Sequence, residues 1–187
     1  MRFRRKNIRL HPTRYRGRAW FFVTLCCELR QPIFSDSKKA QKLIECLKIT
    51  AAKCHFAVHA FCVMPDHFHA LVEGTAPDSD LLLFVSTFKR ATSLEYSGGS
   101  GLPLWQKKFY DHVLRPKDSP DAVAWYIWMN PVRKGLCGQP NQYRSSGSFT
   151  VQWEKKVQPK DAWVPGWKKD KGCPFTNRTA ATKLAPP

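Results

Sequence analysis

Two histidines separated by one apolar residue form the part of the sequence with the clearest potential for chemistry. His67 and His69 flank Phe68, directly after the turn-forming residues Pro65 and Asp66. Because successive side chains of a strand point to opposite faces, a strand here would put both imidazoles on the same face. Two neighbouring imidazoles can hold a divalent cation, although a lone His-x-His is more often an ordinary pair of half-exposed sheet residues.

A tyrosine and an asparagine farther along the chain favour the chemical interpretation. Tyr126 and Asn130 are four residues apart, so on one helix they would lie on the same face, about one turn from each other. A tyrosine hydroxyl, with a pKa near about 10, is a weak nucleophile unless the developing charge is stabilised. A divalent ion held by His67, His69 and the Asn130 amide oxygen could polarise a phosphate opposite the Tyr126 hydroxyl.

The predicted reaction is attack of Tyr126 on a phosphodiester. A tyrosine phosphate ester conserves the energy of the cleaved bond, so a second DNA end could reverse the attack and rejoin strands. Magnesium prefers oxygen ligands and manganese accepts imidazole readily, so the residues leave Mg²⁺ and Mn²⁺ both open. Taken alone, Tyr126 would instead be a partly buried helix aromatic beside Trp125 and Trp128.

The elements that must position these residues follow from hydrophobic periodicity and from turn residues. Strand-like and helical patterns alternate as β-α-β-β-α-β-α. We expect these elements at about residues 19–27, 36–53, 55–64, 67–74, 81–96, 109–115 and 119–130. Pro131 is expected to end or kink the last helix at Asn130. This order predicts an α+β fold, a ferredoxin-like or RRM-like antiparallel sheet with helices packed on it.

Composition divides the chain into three parts. Residues 1–19 are rich in arginine and poor in apolar periodicity, which indicates a basic N-terminal arm, and residues 20–140 form the predicted domain. Residues 141–187 are basic and contain proline and tryptophan, which is typical of a partly irregular extension. Its tryptophans Trp153, Trp163 and Trp167 either stack on nucleic-acid bases or cover the surface of the core.

The charge of the chain indicates a polyanionic partner. Thirty-one Lys and Arg against fourteen Asp and Glu give a formal net charge of +17. Nucleic acid is the leading candidate, since no segment has the apolar face or length that membrane binding requires. The seven cysteines show no Cys-x-x-Cys spacing, so we expect reduced thiols in a cytoplasmic protein rather than a zinc knuckle.

Three motifs in the expected order resemble the REP-associated tyrosine transposases, relatives of the single-strand insertion-sequence transposases. The first is Met64-Pro65-Asp66-His67-Phe68-His69. The second is Trp105 with the run from Phe109 to Arg115, and the third is Tyr126-Ile127-Trp128-Met129-Asn130-Pro131-Val132-Arg133-Lys134-Gly135-Leu136. The resemblance covers roughly residues 20 to 140, and separated motifs are far more specific than one short motif.

The resemblance implies an HUH (His-hydrophobe-His) endonuclease. His67 and His69 would be the paired metal ligands, and Tyr126 would be the nucleophile that forms a 5′-phosphotyrosine and frees a 3′-hydroxyl. Asn130 would be the ligand on the helix, at a position where insertion-sequence relatives carry glutamine. The implied substrate is single-stranded DNA beside repeated (REP-type) hairpins, cleaved by a monomer or homodimer associated with a bacterial nucleoid.

Contacts to DNA are expected from the basic residues. The candidates are Arg4, Arg5, Arg14, Arg16, Arg115, Arg133 and Lys134, of which the first four belong to the predicted arm. Two other functions stay open. One is an RRM-type module that binds single strands without cleavage, although the RNP1 pattern is not found on any predicted strand. The other is an HUH relaxase or replication initiator.

Overall fold

The computed structural model describes residues 10–96 and 103–166. Within these residues the chain forms a five-stranded antiparallel sheet with four α-helices. In chain order the elements are β1 (Trp20–Cys26), α1 (Ser37–Lys53), β2 (Phe56–Met64), β3 (His67–Gly74), α2 (Leu81–Tyr96), β4 (Tyr110–Val113), α3 (Pro120–Trp128), α4 (Asn130–Arg133) and β5 (Ser146–Gly147). The strand order is β4-β1-β3-β2-β5, so the predicted α+β antiparallel plan is confirmed.

Local sequence explains where the main helices begin. Asp36 caps α1, because its carboxylate accepts hydrogen bonds from the backbone N–H groups of Lys38 and Lys39 at 2.8 and 3.3 Å. Ser119 caps α3 in the same way, and Pro120 occupies the first helical position, where a missing N–H costs nothing. Within the described residues no helix has the length and apolar character needed to cross a membrane.

The pleat of the sheet separates two hydrophobic clusters. Phe21, Val23 and Leu25 of β1 point to the face covered by α1 and α2. Phe22 points to the opposite face, where it packs with α3. The predicted hairpin between β2 and β3 is present, with Pro65 and Asp66 in its turn and Met64 opposite His67. The two histidines therefore lie on the face that carries α3.

The end of α3 differs from the expectation for Pro131. The helix ends at Trp128, and a separate four-residue helix, α4, begins at Asn130. Pro131 lies in the first turn of α4, where its fixed φ is favourable and its missing N–H is not needed. Asn130 is thus not on the helix of Tyr126, as the spacing suggested, but just past a break at Met129.

The described part of the N-terminal segment is attached to the core. Pro12–Tyr15 forms a 3₁₀ turn, and the Tyr15 ring is only 1% exposed. Its hydroxyl donates to the Asp111 carboxylate at 2.7 Å. Arg16 pairs with Asp80, Nε to Oδ2, at 3.1 Å. A buried aromatic and an ion pair therefore attach Tyr15 and Arg16 to the core, within the segment predicted to be a basic arm.

The described part of the C-terminal extension runs back over the sheet and α3. β5 pairs with β2, with Gly147 opposite Phe61. Trp153 is 6% exposed and stacks on Trp128 with ring centroids 5.1 Å apart. This tryptophan therefore covers the core, the second of the two functions considered for it, while Trp167 lies outside the described residues.

Gly74, at the end of β3, provides a test of how the N-terminal segment packs against the end of this strand. A Cβ built there would lie 2.1 Å from the backbone oxygen of Gly17 and 2.9 Å from Cβ of Ser79. We expect Gly74→Ala to lower the free energy of unfolding by about 3 kcal/mol, since backbone must move to admit the methyl group. Urea denaturation measures the change.

Gly138→Ala is the matched control. Its Cβ would meet only the side-chain Oε1 of Gln142, at 3.4 Å. A movable side chain can yield, so the change should stay within about 0.5 kcal/mol. Equal effects of the two substitutions would contradict the packing described for Gly74.

Candidate active site

The two histidines of β3 lie side by side and are almost fully buried. His67 is 9% exposed and His69 is 4% exposed. Their ring centroids are 4.7 Å apart, and the ring planes are nearly perpendicular, at 85°. The shared face that alternation predicted is therefore present, and the two imidazoles can reach one point.

A hydrogen bond orients each ring from behind. The Nδ1 atom of His69 lies 2.8 Å from the hydroxyl of Thr24, its cross-strand neighbour on β1. Nδ1 of His67 lies 2.5 Å from Oδ1 of Asp66, so it donates its proton to that carboxylate. Ligating histidines in metal sites are commonly held in this way, with one ring nitrogen anchored and the other presented to the ion. In both rings the second nitrogen is Nε2.

Electrostatics favour the neutral, ligand-competent form of His67. Burial lowers the pKa of its imidazole, and this effect outweighs the Asp66 contact, which raises it. The charges of Arg30 and Lys134 lower the pKa further. Burial alone would raise the pKa of the Asp66 carboxyl, but the His67 contact and the Arg30 charge bring it below its ordinary value. Asp66 is therefore a carboxylate beside a neutral imidazole.

Tyr126 lies on the same face of the sheet as the histidines. It is 7% exposed and belongs to the cluster that α3 forms on the sheet. The ring of Phe22 connects the two parts of the site, because its centroid lies 5.6 Å from that of His69 and 6.0 Å from that of Tyr126. Packing of α3 on Phe22 therefore places Tyr126 on the face of the histidine pair, with the Phe22 ring next to both Tyr126 and His69.

Asn130, the first residue of α4, lies beside the end of α3 that carries Tyr126. Its side chain is buried, and Nδ2 donates to the backbone oxygens of Tyr126 and Ile127, each at 3.1 Å. The amide thus caps the end of α3, and its oxygen, Oδ1, is the atom that could ligate a metal. The side chain remains close to Tyr126, although the two residues are on different helices.

Arg133 is exposed, and its side chain also contacts Tyr126. Its guanidinium carbon lies 4.3 Å from the centroid of the Tyr126 ring, a cation–π contact. Nη2 also donates to the backbone oxygen of Tyr126 at 2.7 Å. The DNA contact expected of this residue stays a prediction, and the structure adds its contacts with the tyrosine. Its neighbour Lys134 is exposed, and its charge acts on His67.

The other candidates for DNA contact are dispersed. Arg14 and Arg115 are exposed, in the 3₁₀ turn before β1 and in the segment between β4 and α3. Arg16 is engaged by Asp80. Arg4 and Arg5 lie outside the described residues. Among the described residues of this set, Arg133 contacts Tyr126, and the charge of Lys134 acts on His67.

Two aromatic residues at the site were not identified from the sequence. Trp163 lies 5.1 Å from Phe22 and 5.3 Å from Tyr126 between ring centroids, with its indole Nε1 donating to Asp118. Tyr110 of β4 packs on the other edge of Phe22, and burial raises its pKa to about 12. The basic surroundings of Trp163 gave no signal for this contact, which depends on the path of the extension.

The donor set suits a partly protein-bound metal ion. Among residues 10–96 and 103–166, no three His, Cys, Asp or Glu side chains are grouped closely enough to hold one. Two imidazoles and one amide oxygen would leave several positions of an ion open for a phosphate. The residue types of this set are therefore compatible with a weakly held cation that is open to a phosphate.

A family model described as "Transposase IS200 like" matches residues 18–127, more than half of the chain. The matched segment contains the histidine pair and Tyr126, and it ends before Asn130. The fold and the two parts of the site thus fall within one family pattern.

Individual proteins show the same relationship. The chain is 23% identical over 151 residues to the REP-associated tyrosine transposase of Escherichia coli K12, covering 76% of this chain and 88% of that protein. An uncharacterised protein of Haemophilus influenzae is 23% identical over 161 residues, covering 68% and 88%. A solved REP-associated tyrosine transposase bound to a REP hairpin has a TM-score of 0.65 at 21% identity, covering 86% and 92% of the chains, which shows a shared fold.

Thr24 tests how the histidine pair is held. We expect Thr24→Val to lower the free energy of unfolding by about 1 kcal/mol, because it keeps the buried shape but removes the hydroxyl that bonds His69. Thr24→Ser keeps the hydroxyl and serves as the control. Urea denaturation compares the three proteins, and a Val variant as stable as wild type would contradict the role of this bond.

Substitution of Asp118 tests how the segment between β4 and α3 is held. Burial raises the pKa of its carboxyl, but hydrogen bonds from the Arg115 backbone, His112 and Trp163 bring it below the ordinary value of 3.8. Its stabilising contribution should therefore be complete well above pH 3.8 and disappear as the pH falls through the lowered pKa. Asp118→Asn should be less stable than wild type at pH 7, and the gap should close in acid.

Urea denaturation at several pH values measures the Asp118 effect. Asp78→Asn, at an exposed carboxylate, is the control. A gap between Asp118→Asn and wild type that does not change with pH would contradict the assignment.

Proposed function

The chain belongs to the family of IS200-like transposases, enzymes that cleave and rejoin DNA, and from its site geometry we propose the chemistry it uses. Tyr126 is the nucleophile of a metal-dependent, single-stranded DNA endonuclease and strand transferase. The observation that carries this proposal is the contact of one Phe22 ring with both Tyr126 and His69. This contact links the proposed nucleophile to one of the two proposed histidine ligands within one small domain.

The proposed metal ligands are His67 and His69 through Nε2, and Asn130 through Oδ1. The fit rests on the anchored Nδ1 atoms, which leave Nε2 of each ring to face an ion. Transposases of this family use a divalent metal. Two nitrogen donors favour Mn²⁺ over Mg²⁺, and such an ion would act as a Lewis acid on a phosphate oxygen.

The side chains around Tyr126 prepare it for attack. Arg133 donates a hydrogen bond to the backbone oxygen of Tyr126 and lies over its ring, and Asn130 donates to the same oxygen. These contacts restrict both the backbone and the ring of Tyr126. In the proposed step a bond forms between Oη and phosphorus, and the bond from phosphorus to the 3′ oxygen breaks. The tyrosine loses one proton and the 3′ oxygen gains one. The products are a 5′-phosphotyrosine and a free 3′-hydroxyl, and reversal rejoins strands.

The proposed substrate is single-stranded DNA beside a folded hairpin. The formal charge of +17 favours a phosphate-rich partner. A related transposase has been solved with a REP hairpin, and its fold is shared by this chain. Lys134 is our first candidate for a phosphate contact, because it is exposed and its charge reaches the histidine pair.

Covalent trapping tests the nucleophile. The full chain, incubated with single-stranded hairpins and Mn²⁺ or Mg²⁺, should form a protein–DNA adduct that survives SDS. Tyr126→Phe should abolish the adduct but retain hairpin affinity, since only the hydroxyl is lost, and a chelator should abolish it in wild type.

Tyr110→Phe is the matched control, because Tyr110 packs on the same Phe22 ring as Tyr126 but belongs to β4. It should retain the adduct. An adduct that persists in Tyr126→Phe would refute the assignment. Tight hairpin binding without any adduct, in either metal, would favour a binding module that does not cleave.

A further inference from the structure

The segment that follows β1 has an unfavourable backbone conformation. Leu29 and Arg30 are consecutive non-glycine residues with positive φ, at 52° and 58°. Side chains with a Cβ rarely adopt this region, and such a conformation persists only when the surrounding structure imposes it. Leu29 is also 66% exposed, so burial of its own side chain does not explain the conformation.

Backbone hydrogen bonds tie this segment to the turn that precedes the histidines. The N–H of Cys27 donates to the oxygen of Asp66, and the N–H of Phe34 donates to the oxygen of Pro65, both at 2.9 Å. The segment therefore enters and leaves at fixed points on the turn between β2 and β3. Between these points the chain must bend sharply, and the bend turns the Arg30 side chain towards Asp66.

Arg30 faces the carboxylate that orients His67. Its Nε lies 3.2 Å from Oδ2 of Asp66, whose other oxygen, Oδ1, receives the hydrogen bond from His67. Nη1 of Arg30 also lies 3.1 Å from the sulfur of Cys26, the residue opposite His67 on β1. Arginine, carboxylate and imidazole thus form a continuous chain of contacts, in which each carboxylate oxygen has its own partner.

We propose that Arg30 is a positioning residue that sets the metal affinity of the site by fixing Asp66, and through it His67. With Arg30 in place the carboxylate cannot rotate away from Nδ1, so Nε2 of His67 keeps one direction. Without it the carboxylate gains freedom, and the ring loses its orientation. Metal affinity depends strongly on such outer hydrogen bonds. This inference rests on the proposed function, in that it requires His67 to be a ligand.

A second ion pair in the chain provides a matched comparison. Arg16 and Asp80 form the same contact, Nε to Oδ2, at 3.1 Å, beside the start of α2. Arg16 is more exposed than Arg30, with 66% against 35% of its side chain accessible. If an arginine–aspartate pair mattered only for general stability, loss of either pair would leave metal binding unchanged.

The test measures Mn²⁺ binding to the full chain without DNA, by the electron paramagnetic resonance signal of free Mn²⁺. Arg30→Met should weaken binding by roughly tenfold or more, while Arg16→Met should bind as wild type does. Arg30→Lys, which keeps the charge but not the fork of donors, should recover part of the affinity. Arg30→Gln repeats the neutral substitution if the Met variant fails to fold.

A double-mutant cycle tests whether Arg30 acts through Asp66. In an Asp66→Asn background, Arg30→Met should cause little further loss, since the carboxylate it positions is already absent. An equal loss in both backgrounds would overturn the proposed route.

His67→Ala separates this inference from the proposed function. If His67→Ala abolishes Mn²⁺ binding while Arg30→Met binds as wild type does, the role of Arg30 is refuted and the metal site stands. If His67→Ala binds Mn²⁺ unchanged, the metal site itself is refuted, and the role of Arg30 with it. Thermal denaturation of each variant confirms that the folded protein is being compared.

Discussion

The antiparallel pairing of β1 with β3 is the constraint on which the rest of the site depends. It sets Thr24 opposite His69 and Cys26 opposite His67. The hydroxyl that orients the His69 ring therefore comes from the neighbouring strand, β1. A register shift of one residue would send both imidazoles to the face covered by α1 and α2. Such a shift is opposed because it would place the polar imidazoles in the apolar cluster that contains Phe21, Val23 and Leu25.

The second half of the site depends on packing rather than pairing. The ring of Phe22, on the strand next to the histidines, packs against both Tyr126 and His69. The break after Trp128 then turns the chain so that Asn130 and Arg133 both bind back to the carbonyl of Tyr126. Tyr126, the proposed nucleophile, is thus held at its ring and at its backbone, which limits the freedom it must lose before reaction.

Much of the fold was predictable because each boundary has a local cause. Asp36 and Ser119 cap helices, and Pro65 with Asp66 closes the hairpin, so the order and approximate ends of the elements followed from the residues themselves. A break near Asn130 was predicted from Pro131, but the new helix that begins at Asn130 was not, because proline is compatible both with ending a helix and with the first turn of a new one. The attachment of Tyr15 was missed for another reason: its partner, Asp111, is remote in sequence.

The sequence by itself determined the residue types of the site and the shared face of His67 and His69, because strand periodicity is a local property of the backbone. Only the tertiary structure decided which groups surround them. Thr24, Arg30 and Trp163 carry no local mark of their roles, since each meets the site through strand register, a strained bend or the path of the extension. Contacts between residues distant in sequence depend on the whole fold, which is why the contact of Trp163 with Tyr126 could not be predicted locally.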